Sequence, residues 1–313
     1  MINFPKDQIK NFSNLLDYFK NLSGGAVNGV TEKWLLMVLD STLPIFFSLK
    51  NKSRFPIIER ITINKNVIGK NKRIDNLNFL KYPPPEKVKK YGRCNIPGTS
   101  VLYGTFMKPT AMMEMAPKVG DLITISKWKL KDDYKLTYAP IFMNQPTDGM
   151  FNPRTFEIIR QFDEQVNKIF SEPSQKIVRE LNQFIADSFT KHVGENHQDY
   201  LFSSYFSNRL MHVNPQFSVE AIYYPSVQSK LNQENIAIRT DVFDQHYVIE
   251  EVKDSIITIE PSFGNKSYLA DGLGSCKNFD FTSGKILWDP SKNHQSSTKI
   301  FEHKLNHNLD LDV

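Results

Sequence analysis

The sequence predicts an α+β chain. Apolar residues recur at helical spacing over residues 1–50 and again over 155–191, while short runs such as "IIERITI" and "DLITISKWKL" read as strands. Hydrophobic residues make up 40% of the 313, with 23 Phe, which is enough to bury a core and excludes global disorder.

The elements follow in chain order. Leu15, Phe19 and Leu22 keep a helical spacing, "SGG" at 23–25 stops that helix, and Thr31 is placed to cap the next. The run "WLLMVLDSTLPIFFSL" reads as a buried helix that kinks or ends near Pro44. Residues 57–63 read as a strand, and "YPPPEK" at 82–87 as extended chain, because proline disfavours helix in itself and in the residue before it. "TSVLYGTF" (99–106) reads as a buried strand, "KPTAMMEMA" as a short helix with Thr110 as its cap, and 121–130 as another strand. Residues 131–153 read as loop-rich, with no strand assigned. From Thr155 to Lys191 the apolar spacing predicts two helices divided by Pro173, with a third at 203–212. Strands are predicted at 217–226 and 234–240, then as two separate runs, "QHYVIEEVKD" and "SIITIEP". Beyond Trp288 the chain turns polar and reads as a flexible tail.

The net charge, 39 − 34 = +5, fits an anionic small-molecule ligand and is too weak to argue for nucleic acid. Two cysteines, Cys94 and Cys276, allow neither a disulfide framework nor a four-thiolate zinc site. The N-terminus lacks the apolar core and cleavage site of a signal peptide, and the most apolar run is interrupted by Asp40 and Pro44, so a cytoplasmic protein with no membrane span is expected. His192 with His197, and His303 with His307, lack a surrounding ligand set, so no metal is expected. "DGLGS" at 271–275 reads as a turn, since the third glycine of a dinucleotide fingerprint is missing.

One stretch stands out. "YGRCNIPGTSVLYGTFMKPTAMMEM" places Arg93, Tyr103 and Glu114 at intervals of 10 and 11 residues. They read either as a structural ion pair with a core tyrosine, or as a site for a ligand carrying a diphosphate and a sugar. In the second reading Arg93 supplies a planar charged fork for phosphate. Tyr103 supplies a stacking face. Glu114 accepts from ribose hydroxyls and opposes positive charge on the sugar ring.

This region resembles the RES domain family. Members carry a Gly-Arg-x-Asn-x-x-Gly turn, matched by Gly92 to Gly98; a Leu-Tyr strand, matched by Leu102-Tyr103; and a helix whose glutamate follows an alanine, matched by Ala111 and Glu114. A preceding Pro-Pro-Pro-Glu is matched by Pro83 to Glu86. A strand ending in Tyr-Pro-Ser, then Asn and an apolar strand, is matched by Tyr224-Pro225-Ser226 and Asn235-Ile236-Ala237-Ile238. The family's early arginine has its counterpart in Arg60. The resemblance covers roughly 57–242.

The resemblance implies an ADP-ribosyltransferase-like core of small antiparallel sheets with flanking helices, spanning 51–265. It would carry a helical N-terminal extension over 1–50, a helical insertion at about 150–192, and C-terminal strands and tail over 266–313. It implies an enzyme that breaks the nicotinamide–ribose bond of NAD as hydrolase or phosphorylase, a toxin of a toxin–antitoxin pair held inactive by an Xre-type protein. Arg60 and Arg93 would grip the diphosphate, with Tyr103 and Asn235 beside the ligand. Glu114 would stabilise the cationic sugar, and Ser226 would position substrate or Glu114. Transfer of ADP-ribose to a protein, or a non-catalytic binding module, are the alternatives.

Overall fold

A computed structural model describes residues 1–23, 29–42, 47–146, 149–194, 196–213, 218–262 and 267–289. Helices are α1 (Lys6–Ser23), α2 (Gly29–Thr42), α3 (Asn64–Ile68), α4 (Lys108–Met115), α5 (Pro153–Ile169), α6 (Glu172–Thr190), α7 (Leu201–Asn208) and α8 (Thr240–His246). Strands are β1 (Asn51–Ser53), β2 (Ile57–Ile63), β3 (Val101–Thr105), β4 (Leu122–Leu130), β5 (Leu136–Pro140), β6 (Ala221–Pro225), β7 (Glu234–Arg239), β8 (Tyr247–Ile259), β9 (Leu269–Cys276), β10 (Phe279–Asp280) and β11 (Lys285–Ile286). The fold is α+β. The chain divides into two compact units, each drawn from three separated stretches: 1–53, 84–101 and 135–239 form the first, 54–83, 102–134 and 240–313 the second.

In the first unit β1 pairs antiparallel with β5, β5 parallel with β6, and β6 antiparallel with β7. Parallel neighbours cannot be joined by a tight turn and need a long crossover. Here α5, α6 and α7 are that crossover between β5 and β6. Asn152 starts α5 by accepting the N–H groups of Arg154 (3.0 Å) and Thr155 (3.3 Å) on its side chain. Pro173 lies in the first turn of α6, where its missing N–H costs nothing. The buried faces of α1, α6 and α7 meet in an aromatic cluster. Phe184 lies 5.0 Å edge-on from Phe202, and Phe19 lies 5.9 Å from Phe202.

The second unit is wholly antiparallel, in the order β3-β2-β4-β8-β9. Alternation gives this sheet two different faces. Ile61 and Ile63 of β2, Ile123 and Ile125 of β4, and Ile257 of β8 pack against Ala111 and Met112 of α4. The other face carries Arg60 and Thr62 of β2, paired in register with Ser126 and Thr124 of β4. Further along it Arg73 donates from Nε to Asp254 at 2.5 Å, and the Thr124 hydroxyl lies 3.2 Å from the same carboxylate. Arg73 also stacks over the Trp288 ring, 4.4 Å from its centre.

Several expectations are corrected. The buried stripe of α1 is Phe12, Leu16 and Phe19, not Leu15, Phe19 and Leu22. Thr31 lies inside α2 and Thr110 inside α4; Met107 precedes α4 without a side-chain cap. Pro85–Lys87 form a turn of 3₁₀ helix rather than extended chain, because proline fits a first turn. The stretch read as loop-rich holds β5. "DGLGS" lies in β9, bulged against β8, rather than in a turn. The two runs after His246 are one strand, β8, and α8 before it was not expected. Residues after 289, with His303 and His307, lie outside the described residues, as does Pro44.

Two outcomes test this fold. A Cβ on Gly104 would stand 2.2 Å from Cγ2 of fully buried Ile58, a stiff β-branched side chain that cannot swing away. Gly104→Ala is expected to lower the unfolding free energy by about 1–3 kcal/mol in urea titration. Burial raises the Asp254 carboxyl from an ordinary 3.8 to about 6, against the pull of Arg73 and Thr124. A carboxyl whose pKa rises on folding adds stability that is fullest below the unfolded pKa and is lost as pH climbs through the folded one. The difference between wild-type and Asp254→Asn stability profiles is expected to fall as pH rises from about 4 through 6.

Candidate functional site

Arg60, Tyr103 and Glu114 belong to the second unit, and Arg93, Ser226 and Asn235 to the first. Within the second unit the structure brings Arg60 and Tyr103 together. Arg60 Nη1 donates to the Tyr103 carbonyl at 2.9 Å, across the β2–β3 pair that Gly104 keeps close. The Arg60 Nε–H is fully enclosed and has no hydrogen-bond partner among the described residues. Loss of water around the guanidinium lowers its pKa to about 10, and the nearby Tyr103 phenol opposes that shift. A guanidinium at this value stays charged at neutral pH. A charge taken out of water normally acquires a counter-charge, since desolvation alone costs several kcal/mol.

Thr62, two residues on and therefore on the same face as Arg60, is 3% exposed, and its hydroxyl also lacks a partner among the described residues. Thr62 is not among the site residues expected from the sequence, although its spacing of two from Arg60 on a strand is the signal that could have found it. Glu114 is half-buried near the C-terminus of α4. That helix covers the Ile61 and Ile63 face, so the pleat alone does not set Glu114 beside Arg60.

In the first unit the Gly92–Gly98 turn is closed by the Gly92 N–H on the Asn95 carbonyl at 3.0 Å. Gly98 takes a φ of +81°, which explains glycine there. Arg93 points from this turn to the end of α6. Its Nη1 donates to the Phe189 carbonyl, both Nη groups reach the Lys191 carbonyl at 3.4 Å, and the guanidinium lies 5.0 Å from the centre of the Tyr200 ring. It thus satisfies carbonyls that a helix C-terminus leaves open, and its charge opposes the helix dipole. Cys94 beside it is buried, and burial pushes its thiol up to about 12.

Ser226 is fully buried at the start of the β6–β7 loop. Its N–H donates to the Gln233 carbonyl at 2.7 Å and its Oγ accepts the Ser229 N–H at 3.2 Å. Asn235 is buried one strand away, in register with Tyr224. Beside them Arg154 pairs with Glu234 at 3.0 Å and donates to the Tyr223 hydroxyl.

No family model and no curated protein matches the chain. No helix among the described residues is long and apolar enough to cross a membrane. Among the same residues no group of three or more His, Cys, Asp or Glu is placed to hold a metal ion.

The contacts of Arg93 make a clear prediction. Arg93→Ala is expected to cost roughly 1.5–3 kcal/mol of unfolding free energy without any ligand, as loss of a charged donor usually does. Chemical denaturation measures it, and an unchanged midpoint would show that the α6 contacts contribute nothing.

Proposed function

We propose that this chain binds NAD and cleaves its nicotinamide–ribose bond. The observation that carries the reading is Arg60. A partly buried guanidinium whose enclosed Nε–H has no partner among the described residues, next to a tyrosine, is a seat for an anionic oxygen. The RES-like motifs of the sequence support the reading: the Arg93 turn, the Tyr103 strand, the Glu114 helix and the Ser226 and Asn235 segments.

The chemistry follows from NAD itself. Its nicotinamide is cationic, so the bonding pair of the C1′–N bond leaves with the ring and no acid is required. Positive charge then grows on the ribose, as in glycoside cleavage. Arg60 binds the diphosphate, and Tyr103 flanks the nucleotide. Glu114 accepts from the ribose hydroxyls and faces the growing charge. A lone pair of the acceptor closes on C1′. With water the products are ADP-ribose, nicotinamide and a proton; with phosphate, ADP-ribose 1-phosphate and nicotinamide. No metal takes part. On the same reading the protein is a cytoplasmic toxin restrained by an Xre-type partner.

Incubating the purified chain with NAD and following free nicotinamide tests this. Wild type is expected to release it, and Glu114→Gln to do so about 100–1,000-fold more slowly. Failure of wild type to release nicotinamide, at high enzyme concentration and with water, phosphate and protein acceptors supplied, overturns the reading.

A further inference from the structure

The polar face of the second unit's sheet holds two threonines that differ in one respect. Thr124 is fully buried, and its hydroxyl lies 2.9 Å from Asn64 Oδ1 and 3.2 Å from Asp254 Oδ1, in a network that also includes Arg73. Thr62, directly opposite it in the β2–β4 register and almost as buried, has a hydroxyl with no partner among the described residues. A buried hydroxyl left unmade costs about 1–3 kcal/mol. A valine of the same shape would avoid that cost, so the hydroxyl calls for a partner beyond the described residues.

Its neighbour indicates what. Arg60 stands two residues before it on the same face, with an enclosed Nε–H that is likewise unused. Residues i and i+2 on a strand lie about 6.6 Å apart at the backbone. Side chains of their length can therefore converge on one oxygen or on two oxygens of one small group. A permanently charged donor beside a neutral hydroxyl donor, with the Asp254 carboxylate in register with Thr124 already paired to Arg73, suits a tetrahedral oxyanion.

We propose that Thr62 is a ligand-binding residue that, with Arg60 Nε, holds a phosphoryl oxygen of a nucleoside diphosphate. This rests on the reading of Arg60 as a diphosphate seat, but not on cleavage of NAD. At 3% exposure Thr62 meets a single oxygen, while the rest of the ligand is held elsewhere.

Titration calorimetry with ADP-ribose, and with pyrophosphate as competitor, tests the proposal on the full chain alongside urea unfolding without ligand. Thr62→Val is expected to weaken ADP-ribose binding by roughly tenfold or more, the value of a hydrogen bond to a charged acceptor. It is expected to leave unliganded stability unchanged or raised. Thr62→Ser, which keeps the hydroxyl, is expected to restore most of the affinity. A fall in unliganded stability for Thr62→Val would assign the hydroxyl a partner within the fold and overturn the proposal. So would wild-type affinity in that variant, or wild-type protein that binds neither probe. If wild type binds ADP-ribose through Thr62 yet releases no nicotinamide from NAD, the inference stands and the cleavage reading falls. If wild type cleaves NAD while Thr62→Val binds ADP-ribose normally, the reverse holds.

Discussion

The register of β2 against β4 is the constraint from which the rest of the second unit follows. Seven consecutive pairs run from Ile57 opposite Lys129 to Ile63 opposite Ile123. Because side chains alternate, a slip of one residue would exchange Ile61 and Ile63 for Arg60 and Thr62. The apolar seat of α4 would then hold a cation, and the polar row would receive isoleucine. Each buried isoleucine contributes about 1.5–3 kcal/mol relative to exposure, so several facing the wrong way outweigh the net stability of an ordinary domain. The same register that builds the core therefore keeps Arg60 on the polar face, because the core specifies which residues share its face.

The first unit is organised by a different requirement. Its parallel β5–β6 pair obliges the chain to leave the sheet and return, and helices α5 to α7 make that excursion. Their ends must be satisfied. Asn152 does so at the start of α5, and Arg93 at the end of α6. The arginine chosen from the sequence as a phosphate fork already serves as a helix cap, with a tyrosine ring beneath it. Any anion that draws on Arg93 competes with those carbonyls, which makes Arg60 the less encumbered of the two cations.

How much of this could be read in the sequence depended on whether the signal was local. The β2 and β4 strands stand out because alternation and β-branched residues agree over seven or more positions. The α5–α6 break is visible because Pro173 permits a helix start and not a helix interior. By contrast, β5 is a strand only because β1 and β6 flank it, and "LTYAP" gives little sign of that by itself. The two runs expected within β8 meet between Asp254 and Ser255, where the register against β9 shifts, and the pairing that joins them is a property of both strands and not of either alone. Among site residues, chemistry selected Arg93, Tyr103 and Glu114, and the family resemblance added Arg60, Ser226 and Asn235. The difference between Thr62 and Thr124, one unsatisfied and one bonded, arises from neighbours distant along the chain, and no local pattern encodes it.

The two thiols of the chain are both shut away. Cys94 is buried within the turn that carries Arg93, and Cys276 has its Sγ held between the carbonyls of Asn278 and Leu287 at 3.1 and 3.2 Å. Maleimide dyes, spin labels and crosslinkers should therefore leave the native protein almost untouched. A single cysteine placed on an exposed helix position becomes the one addressable handle, so fluorescence or distance measurements can be made without first stripping out the natural residues.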